Sequence, residues 1–363
     1  MIATRIPFVS LAPAADAAAV RQAIDRVIAS GWFVLGPELE AFESEFARAS
    51  GAAHAVGVGS GTDAIALALR ALDIGPGDEV ITTPLSAAYT ALAVMSTGAR
   101  PVFTDIDPER LTIAPDRIER AITPRTRAIV PVHLYGQPAD MSAIERLAAK
   151  YNLAVVEDCC QAHLATSEGR AVGTIGIAGA FSFYPTKNLG ALGDGGAVVT
   201  GDRALADRLR RLRNGGQTDR YRHETFGVNS RLDELQAAIL RARLPLLSEW
   251  TSRRRALAAA YRTALRGADV DVPREHDAGH VYHLFVIRSR HRVALQQQLA
   301  ERGIETLIHY PVPIPRQTAL AETSPAECPT ADQVCSEVLS LPLYPALSES
   351  DVIRVVRAIE DVR

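Results

Sequence analysis

Lysine is scarce in this chain. Of its 363 residues only Lys150 and Lys187 are lysines, and arginine supplies nearly all the positive charge. Cysteine is scarce as well, at four residues. Cys159 and Cys160 are adjacent and Cys328 and Cys335 lie seven apart, so neither pair has zinc-knuckle spacing. Small buried fillers in a reducing cytoplasm account for all four. No apolar run approaches the length of a membrane span, and Met1–Pro7 lacks the core of a signal peptide. There is no strongly basic block, and the formal net charge is −3, which argues against nucleic acid as the main partner. What is present is ordinary for a globular protein: 47% hydrophobic and 22% charged residues. The length allows two domains, or one large domain with an appendage.

The pattern of elements is an alternation. Asp16 is placed to cap a helix over Ala17–Ser30, and Gly31 is placed to end it. A loop follows to Pro37, then a helix over Leu39–Ala49. His54–Val58 reads as a buried strand, Gly59–Thr62 as a tight turn and Asp63–Leu72 as an apolar-striped helix. Further strands are expected at Glu79–Thr83, Pro101–Thr104, Ala128–Val132, Leu153–Val156, Gly179–Phe183 and Ala197–Thr200, with a helix at Met141–Tyr151. Strands separated by helices argue for an α/β fold with a mostly parallel central sheet, helices on both faces. Leu235–Leu265 is helical but interrupted by Pro245. One strand, His283–Arg288, and helices near Val293–Arg302 and Glu349–Val362 come after it. The expected division is a large domain over residues 1–245 and a small C-terminal α+β domain over 246–363.

Three candidates for chemistry fall at strand ends, where open α/β sheets bind ligands. Gly59-Ser60-Gly61-Thr62 opens a helix whose N–H groups suit a phosphate, although a plain strand-to-helix turn would look the same. Asp158 ends a strand, as would an N-cap or a surface acid. Lys187 follows 29 residues later on a loop between two strands. A surface lysine is its ordinary alternative, but Phe181, Phe183 and the almost uncharged run to Gly196 point inward. An amine there can lose its proton and act as a nucleophile, which arginine cannot. Together the turn, the acid and the amine fit a pyridoxal phosphate (PLP) site: Lys187 forming the Schiff base, Asp158 holding a proton on the ring nitrogen. Gln161 and His163 could each hydrogen-bond a cofactor oxygen, or His163 could be satisfied by local backbone.

These residues sit in a longer series. Gly59–Ala64, Gly77–Ile81, Pro131–Gln137, Glu157-Asp158, Gln161–His163, Phe181–Gly196 and Asn229–Ala237 occur in this order. The chain thereby resembles the DegT/DnrJ/EryC1/StrS sugar aminotransferases, PLP enzymes of fold type I, from about Pro7 to Pro311. The resemblance implies that Lys187 binds the cofactor and then shuttles protons. It pairs Asp158 with the pyridine nitrogen, sets Gln161 at the ring hydroxyl, and assigns the phosphate to Gly61, Thr62 and Ser182. It brings Asn229 to that phosphate from a neighbouring subunit, which implies a homodimer with shared sites. Arg231 is either catalytic by proximity or ion-paired with an acid such as Asp233. Tyr184, Tyr221 and His309 are candidates for the sugar or its diphosphate.

One departure stands out. Where the family stacks an aromatic side chain on the ring, this chain has Ala87, with Tyr89 two positions on as the alternative. The vicinal cysteines replace small residues and read as volume filling. The run Tyr184–Gly190 resembles the branch that acts on 3-keto sugars more than the 4-keto branch. The expected reaction is transfer of the amino group of glutamate to C3 of a keto sugar, dTDP-linked before UDP or GDP. Two alternatives are a dehydratase on the same fold, which would replace Lys187 with histidine, and a non-catalytic PLP-binding regulator.

Overall fold

The computed structural model describes residues 5–11, 15–321 and 326–361. Among these, seven strands form the main sheet. They are β1 (His54–Val58), β2 (Glu79–Thr82), β3 (Arg100–Phe103), β4 (Thr126–Val130), β5 (Ala154–Asp158), β6 (Ala178–Ser182) and β7 (Gly196–Thr200). The spatial order is β1-β7-β6-β5-β4-β2-β3. Strands β3, β2, β4, β5 and β6 run parallel, and only β7 is reversed, antiparallel to both neighbours. Adjacent residues of one strand fall into different cores. Val80 packs with Val56, Val130 and Val198 beneath the helix Gly61–Ala71 (α3), whereas Ile81 packs with Ile129, Met141 and Ile144 on the other face. Burial on both faces is why these strands read as continuous apolar runs.

The helix at Ala17–Ser30 (α1) has its expected bounds, and Gly31 ends it at φ 64°. Asp16 is the N-cap residue and its carbonyl accepts the Val20 amide at 2.9 Å, but its side chain makes no capping hydrogen bond. Its carboxylate pairs with Arg243, 2.8 Å away, at the end of the helix Glu234–Arg243. Pro37 starts the next helix, α2 (Pro37–Ala49), two residues before the expected start, as proline does at a first helical position. β5 is longer than expected at its carboxyl end, and its pairing runs through Glu157 and Asp158. A buried carboxylate is tolerated at Glu157 because Gly173, Ile175 and Gly176 donate backbone N–H groups to it and His133 Nε2 lies 3.0 Å away.

The sequence pattern passed over the helices Tyr89–Ser96, Pro115–Ala121, Arg203–Leu212 and Pro329–Glu337. It also missed the strand Val338–Leu341, which pairs antiparallel with Phe285–Arg288. Most are short, and Val338-Leu339-Ser340-Leu341, four residues before a proline, is too brief to show a period. Pro245 does divide the helical stretch: Leu244–Leu246 is a 3-10 turn before the helix Leu247–Ala264. Beyond it a separate cluster gathers Leu257, Tyr261, Phe285, Ile287, Leu339 and Val355, and Ile6 joins it from the N-terminal segment. The last helix is Glu349–Glu360; Val362, its expected end, lies outside the described residues, as does Met1–Thr4 of the N-terminal segment. No helix among the described residues is long and apolar enough to cross a membrane.

Candidate active site

The site forms where β1, β5 and β6 end. At the start of α3, Ser60 extends its backbone and accepts the N–H of Asp63 on its hydroxyl, 3.1 Å away. That leaves the N–H groups of Gly61 and Thr62 without intrahelical partners, at the positive end of the helix dipole. Gly61 is required there by close approach. A Cβ on it would stand 2.7 Å from Ser182 Cβ and 2.8 Å from Cys160 Sγ. The turn, the end of β6 and the residue two past Asp158 therefore meet at one point.

Asp158 is buried and its carboxylate is held on both oxygens. Thr90 Oγ1 donates to Oδ2 at 2.7 Å, and the Cys160 amide donates to Oδ1 at 3.1 Å. Thr90 lies in the first turn of the helix Tyr89–Ser96 (α4), so this helix sets the acid. No feature of the sequence singled Thr90 out. Gln161 is fixed equally firmly: its Oε1 accepts the Tyr135 amide at 2.8 Å and its Nε2 donates to the Tyr310 hydroxyl at 3.1 Å. One amide hydrogen of Gln161 is left over.

Lys187 lies on the loop between β6 and β7, half-buried, and the loop is pinned from several sides. The Lys187 amide donates to the Tyr184 carbonyl at 2.8 Å. Asn188 Nδ2 donates to the Val281 carbonyl at 3.1 Å, and Arg243 Nη1 donates to the Gly190 carbonyl at 2.6 Å. Desolvation lowers the pKa of the Lys187 amine, against the opposing pull of Cys160 and Asp158. Three histidines around this lysine stay neutral. Burial first, then the charge of Lys187, brings His163 to about 3 and His309 to about 4, and pushes His283 well below its ordinary value.

His163 lies inside the fold rather than at the rim. It is fully buried, wedged beside Phe181 and Phe183 with ring centroids 5.5 and 5.8 Å away, and neither ring nitrogen has a hydrogen-bond partner. The backbone of Ser182 is the polar group beside it. Cys160 is no mere filler. It is only partly buried, while Cys159, Cys328 and Cys335 are buried, and it stands among Gly61, Ser182 and Lys187. His133, Glu157 and Cys159 come close enough to suggest a metal site. Two of the three are already engaged: His133 Nδ1 accepts the Ala139 amide at 3.0 Å, so its Nε2 carries the proton toward Glu157, which also accepts three backbone amides.

The remaining candidates lie at the rim. Ala87 is half-buried just before α4, and Tyr89 is 64% exposed. His309 Nδ1 meets Ser340 Oγ at 2.9 Å, and its carbonyl accepts the Tyr135 hydroxyl. Tyr184 and Tyr221 are exposed, Tyr221 on the hairpin formed by Gln217–Asp219 and Arg222–His223. Asn229 is exposed, but its neighbour Ser230 touches the phosphate-type turn of this same chain. Ser230 Oγ accepts the Gly59 amide at 3.0 Å and donates to Asp63 at 2.8 Å. Arg231 does not pair with Asp233; its Nη1 donates to Asn214 Oδ1 at 3.1 Å.

Known proteins resemble this chain over nearly its whole length. The dTDP-3-amino-3,4,6-trideoxy-alpha-D-glucose transaminase of Streptomyces venezuelae is 50% identical over 363 residues, covering 98% of this chain and 96% of that protein. The UDP-N-acetyl-3-dehydro-alpha-D-glucosamine 3-aminotransferase of Acidithiobacillus ferrooxidans is 47% identical over 362 residues, covering 98% and 97%. Among solved structures, S. venezuelae DesV in complex with a ketimine intermediate superposes with a TM-score of 0.96 at 50% identity, covering 98% of both chains. The α/β fold with its mostly parallel sheet is the one these PLP-dependent aminotransferases have. Residues 15–360 match the family as a whole. The chain belongs to the DegT/DnrJ/EryC1/StrS aminotransferase family.

Proposed function

We propose that this protein transfers the amino group of glutamate to the C3 ketone of a dTDP-linked deoxy sugar, with PLP as cofactor. The observation that carries this is the meeting of Lys187, Asp158 and the Gly61–Ser182 contact at the carboxyl ends of three strands. The residues fit PLP. Gly61 leaves a cradle that a Cβ would fill, two helix N–H groups face it, and an acid and a desolvated amine stand nearby. When bound, PLP supplies an aldehyde that captures amines and a protonated ring that accepts electron density.

In this reading Lys187 would hold the cofactor, and its amine would take the proton from the α-carbon of glutamate. Its lowered pKa keeps more of the amine in the basic form at neutral pH. Asp158, held by Thr90 and Cys160, keeps a proton on the ring nitrogen. The spare hydrogen of Gln161 serves the ring hydroxyl. Gly61, Thr62 and Ser182 would hold the phosphate, and Ala87 would offer the ring only a small side chain. Tyr184, Tyr221, Arg231 and His309 surround the sugar diphosphate.

Asn229 serves the phosphate of a second copy, so the working unit is a homodimer. Its exposure supports this, as do the exposed Tyr221 and Phe226 beside it, at 80% and 90%. The same reading divides the chain at 245/246, on the separate cluster around Tyr261, and places it in the cytoplasm, on four free cysteines. The choice of C3 follows the names of the relatives above. dTDP and UDP both occur among them, and dTDP goes with the higher identity. Incubation with glutamate and matched 3-keto and 4-keto sugar nucleotides, with NMR of the product, tests it. Turnover of only the 4-keto sugars would refute the C3 assignment.

A further inference from the structure

Thr90 makes the shorter of the two hydrogen bonds that hold the acid of the site. Its hydroxyl donates to Asp158 Oδ2 at 2.7 Å, while the Cys160 amide takes Oδ1 at 3.1 Å. Thr90 is 2% exposed and Asp158 is 4% exposed, so water does not substitute for either donor. A buried carboxylate with a single donor is free to turn about its last bond. With a donor on each oxygen it has one orientation, and its remaining lone pairs have one direction.

The donor also comes from a telling place. Thr90 is the second residue of α4, and Ala87 and Ala88 immediately precede that helix. The hydrogen bond therefore ties the segment expected to cover the cofactor ring to the acid expected to hold its nitrogen. From this geometry we infer that Thr90 is a positioning residue, aiming the Asp158 carboxylate at the ring nitrogen and docking the start of α4 over the ring. This rests on the function proposed above for Asp158.

The experiment uses Thr90→Val, which keeps the shape and removes the donor, and Thr90→Ser, which keeps the donor. PLP affinity is read by fluorescence titration of the PLP-free protein, and the glutamate half-reaction by loss of the visible band. Losing one hydrogen bond to a charged group corresponds to about 10- to 100-fold. Thr90→Val is expected to weaken PLP binding and slow the half-reaction by that factor, with the KM for glutamate unchanged. Thr90→Ser is expected to restore both. In an Asp158→Asn background, Thr90→Val should add almost nothing.

Equal affinity and rate in Thr90→Val and the parent would overturn the inference. So would Thr90→Ser behaving like Thr90→Val, or a full additional loss in the Asp158→Asn background. If Thr90→Val does not fold, Thr90→Ala takes its place as the donor-deleting variant: the same loss relative to Thr90→Ser is expected, and parental affinity and rate in Thr90→Ala would overturn the inference. Borohydride trapping of PLP on Lys187 separates the two levels. Trapping in the parent with an inert Thr90 sinks this inference alone, whereas no trapping in the parent sinks the PLP assignment beneath it.

Discussion

Gly61 and Ser182 are in contact across 121 residues of sequence, close enough that a Cβ on Gly61 would stand 2.7 Å from Ser182 Cβ. A second obstacle, Cys160 Sγ at 2.8 Å, closes the other escape. Gly61→Ala is expected to cost ~1–3 kcal/mol through overpacking. It should also push the helix N-terminus away from Ser182 and release the cofactor. Thermal denaturation and the visible absorption of the purified protein check both. A variant with parental stability and full cofactor content would show that the cradle is looser than described.

The site is expected to be acid-labile for a reason that can be located. An unfolded imidazole takes a proton near pH 6.5, whereas in the fold His163 and His280 hold out to about 3 and His309 to about 4. Below 6.5 the unfolded chain binds more protons than the folded one. Stability is therefore unaffected by these groups above about pH 6.5 and falls as the pH drops toward 4. His163→Leu removes one such group together with two unpaired nitrogens. Its melting temperature should fall less than the parent's between pH 7.5 and pH 5. Parallel curves for the two proteins would exclude His163 as a contributor.

Cysteine labelling should discriminate sharply. Burial pushes the Cys328 and Cys335 thiols up to about 12 and Cys159 well above its ordinary value. Cys160 is raised too, by burial and then by Asp158, but it alone is partly exposed. With a maleimide at pH 8, the native PLP-free protein should label first at Cys160, and loading with PLP should slow that labelling. Peptide mass mapping reads the site. Labelling of Cys328 or Cys335 before Cys160 would contradict the packing.

If Asn229 serves a second copy, two dead proteins should repair each other. Lys187→Ala is expected to lose the visible band and at least ~100-fold in rate, the smallest usual contribution of a general base. Asn229→Ala should lose cofactor affinity. Co-refolded or co-expressed mixtures would contain heterodimers with one site carrying both intact residues. Partial recovery of activity, absent when either protein is mixed with itself, is the expected result. No recovery in a verified heterodimer would place Asn229 in its own chain's site.

The sequence alone determined which chemistry was available and roughly where. Lys187 among arginines, the turn at Gly61 and the acid at Asp158 were legible because each is a residue type fixed by its chemistry. Main-sheet strands were legible because burial on two faces leaves continuous apolar runs, as at Val80 and Ile81. The tertiary structure decided the partners. The Asp16 carboxylate met Arg243, Arg231 met Asn214 rather than Asp233, and His163 came to lie against Phe181 and Phe183. Thr90 became visible only when α4 came to rest over Asp158, 68 residues away in sequence. The physical reason is common to all of these. A side chain's type limits what it can bond, but hydrogen bonds and ion pairs reach only a few ångströms, and which groups come that close is settled by how the sheet and helices pack.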